Sequence, residues 1–600
     1  MLLIKTYRYY KKNGFFLTLK KCKQYIKKSI LKKQNTKLFL NELINVDKHV
    51  IKQQELYQFP YNIKISILVP LYNTPTKFLI EMINSVLNQT YHNWELCLVD
   101  GSDQFHSYVN KVVVKFTKCD KRIKYLKLKE NFGIAENTNK CFQMATGDFI
   151  GLFDHDDLLH PSALFYIMNC ICNKKADFIY TDEATFLNED RSITFINYKP
   201  DFGIDTLRSC NYICHFTVFS KKLADNMEKL FDSRFNGSQD HDLFLRLTEK
   251  AVRIEHIPKV LYFWRAHKES TALATDAKSY ATIAGIKAVE DSIKRNNLPG
   301  NVCSVLPNLT IYRIKYDIID YAKISIIIPT KNHVDDLKRC LDSILTLTTY
   351  PNYEILIIDN SSTETNIFEY YKTLKKYPQI KILSYTDEFN YSKINNFAVK
   401  NAQGKYFLLL NNDTKIITPS WIEEMLMFAQ RKDVGAVGAK LYYEDNTIQH
   451  AGVVLGLEQE GLCKHSFYEW SKESLGYSGR LIFAQEYSAV TAACIMIRAD
   501  VFNEIGGFEE KFKVAYNDID LCLRIRKSGY LVVWTPFAEL YHYECKTRGK
   551  NDNEEKMKVF LHERELFKTR WYDFLNEGDP YYNPNLDEKL NFTIKTEQVN

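Results

Sequence analysis

Four polar residues, Asp154, His155, Asp156 and Asp157, follow directly on the apolar run 149–153. Carboxylates cannot continue a buried strand, because an unpaired buried charge costs too much. They must sit at its C-terminal edge, facing water or a cation. Asp154 and Asp156, one residue apart, can share a hard divalent ion such as Mg²⁺ or Mn²⁺, which in turn holds a diphosphate. The alternative is a polar strand-to-helix turn with no ligand. A second copy of the pattern weighs toward the cation: residues 407–414, FLLLNNDT, again run an apolar strand into polar groups, ending at Asp413.

The elements that must position these acids are legible around them. From residue 63 a βα rhythm begins, with strands expected at 65–70, 95–99, 123–128 and 149–153 and helices at 77–89 and 135–145. Strands alternating with helices predict a parallel, doubly wound α/β sheet whose ligands lie beyond the strand C-termini. Pro70, Asn73, Asp100, Asp154 and Asp156 all fall at such ends. The rhythm then repeats: Ile324-Ser325-Ile326, Pro329, Asn332 and Asp359 answer Ile65-Ser66-Ile67, Pro70, Asn73 and Asp100 at one offset of 259 residues. Asp413 follows Asp156 by 257. Landmarks at a constant spacing make an internal duplication the better account.

In this order, twice over, the motifs resemble family-2 glycosyltransferases of the GT-A fold in tandem, of the kind that builds bacterial surface polysaccharide such as O-antigen. The first copy carries VPLYN at 69–73, Asp100-Gly101-Ser102, NFGIAENTN at 131–139, DHDD at 154–157 and SQDHDLFLR at 238–246. The second carries IPTKN at 328–332, DNSS at 359–362, FNYSKINN at 389–396, LLNNDT at 409–414 and YNDIDLCLR at 516–524. The resemblance implies nucleotide-sugar contacts from Pro70, Asn73, Asp100, Asn131 and Asp154, and from Pro329, Asn332, Asp359, Asn395 and Asn412. Asp154 and Asp156 in one copy and Asp413 in the other would hold Mg²⁺ or Mn²⁺, neutralising the diphosphate leaving group.

Asp240 and Asp518 match the family's general base, which takes the acceptor hydroxyl proton; without the upstream motifs either would be read as a helix N-cap. His267 and His542 follow each base where the family often sets a histidine near the metal, and imidazole suits Mn²⁺; a packed or surface histidine is the other reading. Asp182-Glu183 and Lys199-Pro200-Asp201 resemble motifs beside the donor pocket, and His450, His465 and the run 491–494 resemble its acceptor side. Trp264 and Trp534 sit in apolar strand-like runs, which favours core packing over stacking on a sugar. Two departures stand out. Each second strand ends in one acid rather than two, and Asn411-Asn412-Asp413 replaces Asp-His-Asp in the second copy.

Charge and composition bound the rest. Residues 1–60 carry 14 Lys and Arg against Glu42, Asp47 and Glu55, a net of +11 within a chain total of +7, so the remaining residues sum to −4. Basic and apolar residues alternate through that arm, as in a helix lying on an anionic membrane surface; a helical cap with solvent-facing lysines is the alternative. The body adds no basic patch, so nucleic acid is not an expected partner. No apolar run approaches a membrane span. The start is too short in apolar residues for a signal peptide, and the scattered cysteines read as reduced thiols. The expected location is cytoplasmic, peripheral on the inner face of the inner membrane.

The expected organisation is a basic, helical N-terminal arm (1–62), a first transferase domain (63–300), a linker (301–322), a second domain (323–575) and a tail (576–600). By resemblance the whole would be a bifunctional, metal-dependent, inverting hexosyltransferase. Its donors would be nucleotide sugars and its acceptor a glycan or lipid-linked glycan of an O-antigen or capsule. The rival reading keeps one domain catalytic and makes the other a glycan-binding or scaffold module.

Overall fold

The structure is a computed structural model that describes residues 38–267, 275–456, 462–543, 554–587 and 592–595. Residues 1–37, most of the expected basic arm, lie outside the described residues. The remainder of the arm forms two short helices, Leu40–Ile44 and Lys48–Leu56, docked through Leu40 N donating to Arg191 O at 2.8 Å.

Each half is built on one sheet, and the two sheets share a strand order. In the first, the order is Ile123–Lys127, Trp94–Asp100, Ile65–Leu71, Phe149–Leu152, Thr217–Ser220, Phe178–Leu187, Ile254–Ala266 and Leu158–Leu159. In the second it is Ile380–Ser384, Tyr353–Asp359, Ile324–Thr330, Tyr406–Leu410, Cys494–Arg498, Val434–Tyr442, Leu531–His542 and Thr414–Ile416. The first four strands of each are parallel. The fifth enters antiparallel to the fourth, Phe149 facing Ser220 and Tyr406 facing Arg498. The sheets are therefore mixed rather than purely parallel. The sequence rhythm that predicted parallel strands ends at residue 153, before the strand that reverses.

The parallel strands read as continuous apolar runs because helices cover both of their faces. Ile65–Leu71 and Ile324–Thr330 are buried at all but the proline position. One buried polar device interrupts each run. Ser66 Oγ donates to Glu95 Oε1 at 2.7 Å and accepts from Gly147 N at 2.8 Å; Ser325, Glu354 and Gly404 repeat this, each bond at 2.8 Å. Glu95 is ion-paired to Lys64 and Lys124 at 2.6 and 2.9 Å, and Glu354 to Lys381 and Lys323 at 3.0 and 3.7 Å. A Cβ at Gly147 or Gly404 would run into the backbone of the neighbouring strand, so only glycine fits there.

The stretch read as a connector is a β-hairpin, Gly300–Ser304 paired antiparallel with Tyr312–Tyr316. Tyr316 is buried between the halves, its hydroxyl 3.4 Å from Arg208 and 3.5 Å from Arg431. The apolar core runs from one half into the other without a break. Among the described residues no helix is long and apolar enough to cross a membrane.

Candidate functional site

The strand ends bring the predicted residues to one edge of each sheet. Pro70 and Pro329 occupy the penultimate position of the first strand, and Asp100 and Asp359 the last of the second. Asn73 and Asn332 follow with φ of 52° and 55°, a left-handed conformation that asparagine tolerates. Their side chains lace the loop after the first strand to the loop after the second. Asn73 Oδ1 accepts from Asp103 N at 3.1 Å, and Asn332 Oδ1 from Thr363 N at 2.8 Å.

Asp100 and Asp359 are buried, and each accepts from a tyrosine hydroxyl: Tyr125 at 2.7 Å and Tyr371 at 2.8 Å. Ser102 N and Ser362 N add one bond each, at 2.8 and 3.3 Å. A carboxylate has roughly four acceptor positions, so capacity for a further donor remains. Asn131 shapes its loop, accepting from Gly133 N at 3.0 Å and Asn137 Nδ2 at 2.8 Å. Asn395 is fully buried in its helix, with Nδ2 on Tyr391 O at 2.8 Å and Oδ1 without a hydrogen-bond partner among the described residues. Asn412 Nδ2 donates to Thr330 Oγ1 at 2.9 Å.

The two histidines that follow Asp240 and Asp518 in sequence reach the strand-end acids. His267 Nε2 is 2.9 Å from Asp156 Oδ2, and His542 Nε2 is 3.2 Å from Asp413 Oδ1. The pairing is built by the sheet: Leu158–Leu159 and Thr414–Ile416 pair antiparallel with the long strands that end near these histidines. Asp154 is pushed up to about 6 by its enclosure in the crevice and by the Asp156 charge. Enclosure acts on Asp156 too, but the hydrogen bond to His267 and the nearby imidazoles hold it below the ordinary carboxylate value.

Carboxylate oxygen and imidazole nitrogen are donors that suit Mn²⁺ or Mg²⁺. Asp413 Oδ1 is engaged by His542 Nε2, while His542 Nδ1 is buried without a hydrogen-bond partner among the described residues, so the donor set fits a cation in chemistry. Among the described residues no group of three or more His, Cys, Asp or Glu forms a cage by itself. Such a cation would take its remaining ligands from substrate oxygens and water.

Asp240 and Asp518 are equivalent in position. Each is the second residue of a helix, Gln239–Thr248 and Asn517–Lys527, while Ser238 and Tyr516 occupy the N-caps. The N-cap reading therefore does not apply to either. A carboxylate in the first turn is favoured by the helix dipole. Asp240 Oδ1 accepts from Gln239 Nε2 at 2.8 Å, and Asp518 Oδ2 from Ala492 N at 3.1 Å. Ala493 O in turn accepts from Asn411 N at 3.0 Å, so the run 491–494 links Asp518 to the end that carries Asp413. Burial raises Asp240 above the usual carboxylate value, against the pull of His215.

His215 is the residue sequence reasoning missed. Its Nε2 lies 3.7 Å from Asp154 Oδ2, and its ring stacks on Tyr262 with centroids 4.8 Å apart. The signal was a histidine two residues before the strand Thr217–Ser220. Asp182 and Lys199 meet in one buried network, Lys199 N donating to Asp182 Oδ1 at 2.8 Å and Lys199 Nζ reaching His215 O at 2.6 Å. Asp201 touches that network through His256, whose ring nitrogens face Asp182 and Asp201 at 2.9 and 3.1 Å. In the second half His450 and His465 pair through their Nδ1 atoms at 2.7 Å. Trp534 is buried in the core, as its sequence setting suggested. Trp264 packs on the core while also lining a cavity with Asp240 and Glu183.

The model of the family described as "Glycosyl transferase family 2" matches residues 66–227 and again 325–506. An uncharacterized protein, y4gI, of Sinorhizobium fredii is 40% identical over 540 residues, 89% of this chain and 58% of that protein. The O-antigen biosynthesis protein RfbC of Myxococcus xanthus is 34% identical over 526 residues, 87% of this chain and 40% of that one. The chain thus spans about half the length of these curated relatives. A solved mannosyltransferase of Pyrobaculum calidifontis, in complex with GDP-mannose and Mn²⁺, aligns with TM-score 0.31 and 14% identity over 42% of this chain and 64% of that one. With the matched segments starting on the first strand of each sheet and running through its acid-bearing strand ends, the chain belongs to glycosyl transferase family 2.

Proposed function

We propose that the chain is a bifunctional, inverting glycosyltransferase with one centre in each half, transferring sugars from nucleotide sugars onto a growing surface polysaccharide. The halves would act as two domains, 63–300 and 323–575, joined by 301–322. The observation that carries this reading is the repeated placement of Asp240 and Asp518 in the first turn of equivalent helices, Asp240 lining a cavity with Asp154 and Asp518 linked through the run 491–494 to the strand end that carries Asp413. Asp240, Asp154 and Pro70 line one cavity.

In the first centre Asp240 accepts the proton of an acceptor hydroxyl as that oxygen attacks the anomeric carbon and the bond to the diphosphate breaks. Burial raises its pKa above the ordinary carboxylate value, which makes it the stronger base. Asp518 does the same in the second centre. A divalent cation held by Asp154, Asp156 and His267, or by Asp413 and His542, would supply charge neutralisation for the departing diphosphate. Asp100 and Asp359 would receive a donor from the nucleotide base. The relation to an O-antigen biosynthesis protein supports a polysaccharide product, and the basic arm, residues 1–62, would hold the enzyme against an anionic membrane where a lipid-linked acceptor grows.

The test separates the centres. Asp240→Asn and Asp518→Asn, assayed against a panel of nucleotide sugars with a glycan acceptor, should each lose a different transfer by about 10²–10⁴-fold. One variant losing both transfers, or one losing neither, would remove the two-centre reading.

A further inference from the structure

Asp240 stands between two cavities. The smaller one, about 30 Å³, opens toward Pro70 and Asp154 at the strand ends. The larger is about 310 Å³, and Cys214, His215 and Asp240 line both. Part of the larger cavity's wall does not belong to the first half. It is made by Tyr477, Ser478, Arg480 and Phe483 of the second half, with Tyr312 of the hairpin.

That wall is fixed in place from the first half. The Tyr477 hydroxyl donates to Ile196 O at 2.7 Å and accepts from Tyr198 N at 2.8 Å, standing in for a strand partner at a sheet edge. Ser478 Oγ donates to Asn197 Oδ1 at 3.0 Å. Gly476, Ser478 and Gly479 all have φ between 50° and 78°, which turns the loop tightly onto the cavity. Asn211 Oδ1, also on the cavity's lining residues, is buried without a hydrogen-bond partner among the described residues. A buried acceptor of this kind is costly unless something donates to it. The volume is at the small end of ligand pockets, and the walls combine aromatic faces with a few polar groups. Such a lining suits a sugar ring, whose C–H faces pack on aromatics while its hydroxyls donate and accept.

We propose that the second half builds the acceptor subsite of the first centre, so that the terminal sugar of an acceptor glycan is held between Asp240 and the loop 476–480. This rests on the reading of Asp240 as the first centre's base. It adds that this centre is incomplete without the other half, whichever half makes the next linkage.

The test reads binding without turnover. Full-length protein is titrated by saturation-transfer NMR with methyl glycosides of glucose, galactose, mannose, rhamnose and N-acetylglucosamine. Wild type should bind at least one, and Ser478→Trp, which fills the cavity, should weaken that binding at least tenfold. Asn211→Ala, on the first half's part of the lining, should weaken it at least threefold; it keeps the test alive if Ser478→Trp melts early by circular dichroism. Failure of every glycoside to bind wild type, or binding that stays within twofold in the folded variants, overturns the proposal. Loss of transfer in Asp240→Asn with such unchanged binding would leave the catalytic reading standing and sink only this one.

Discussion

The Asn583 side chain donates its amide nitrogen to both carboxylate oxygens of Asp182, at 3.2 and 3.0 Å, across 401 residues of chain. The same nitrogen reaches Lys199 O at 2.9 Å. The tail thus returns from the end of the second half and closes a buried polar network in the first. Asp182 there also holds His256 and the Lys199 backbone.

Replacing Asn583 by leucine removes donors from a buried carboxylate without leaving a void. The cost of such a loss is about 1–3 kcal/mol. A lower melting temperature by calorimetry is expected, and an unchanged one would show that the tail contact contributes nothing.

Glu486 of the second half caps a helix of the first. Its carboxylate accepts from Asp205 N at 2.6 Å and from Thr206 N at 3.1 Å, at the start of Ile204–Ser209. A Cβ at Gly203 would overlap that carboxylate. Gly203→Ala should therefore destabilise by about 1–3 kcal/mol through lost bonds and overpacking. Denaturant unfolding of Gly203→Ala beside Glu486→Gln checks this, since the second variant keeps the shape and should cost less.

Glu95 and Glu354 give a pH signature. Burial alone would raise both, but the hydrogen bonds and charges of Lys124, Lys64 and Lys381 and the serine bonds outweigh it, and both sit below the model-peptide value of 4.5. A carboxyl whose folded pKa is depressed adds stability above its unfolded pKa and loses it as pH falls through the folded one. Glu95→Gln should be less stable than wild type at pH 7, by about 2 kcal/mol. The gap should close progressively below pH 4.5. Melting curves from pH 7 to pH 3 that stay parallel would contradict it.

The two candidate metal centres differ in charge, with Asp154 and the His267-paired Asp156 in one and Asp413 alone beside His542 in the other. On the proposed reading, calorimetric titration of Mn²⁺ with a nucleoside diphosphate present resolves a tighter and a weaker site. Asp413→Asn should weaken only the weaker one, by about tenfold or about 1.4 kcal/mol. Chelation should abolish both transfers. A single class of site unaffected by Asp413→Asn would count against the assignment.

Much of the frame follows from residue order alone. Apolar runs closed by Pro, Asn and Asp placed the strand ends within a residue or two, because a buried strand cannot carry a charge past its edge. The constant offset exposed the duplication, since copies of one fold repeat their strand-end chemistry at one spacing. The Ser66–Glu95 and Ser325–Glu354 pairs obey the same offset and were legible in principle, as a polar residue twice interrupting an apolar strand.

What only the folded molecule decided is who meets whom across the chain. Local periodicity carries no information on contacts between residues hundreds of positions apart, which depend on how two finished sheets pack. Tertiary structure alone therefore set Asn583 on Asp182, Glu486 on the helix at Asp205, and the loop at Tyr477 against the strand ending at Asn197. It also reversed the fifth strand of each sheet and turned the connector into a hairpin wedged between the halves. Sequence specified each half's acid-lined edge; the packing of one half on the other, driven by burial of a shared apolar core, determined what faces it.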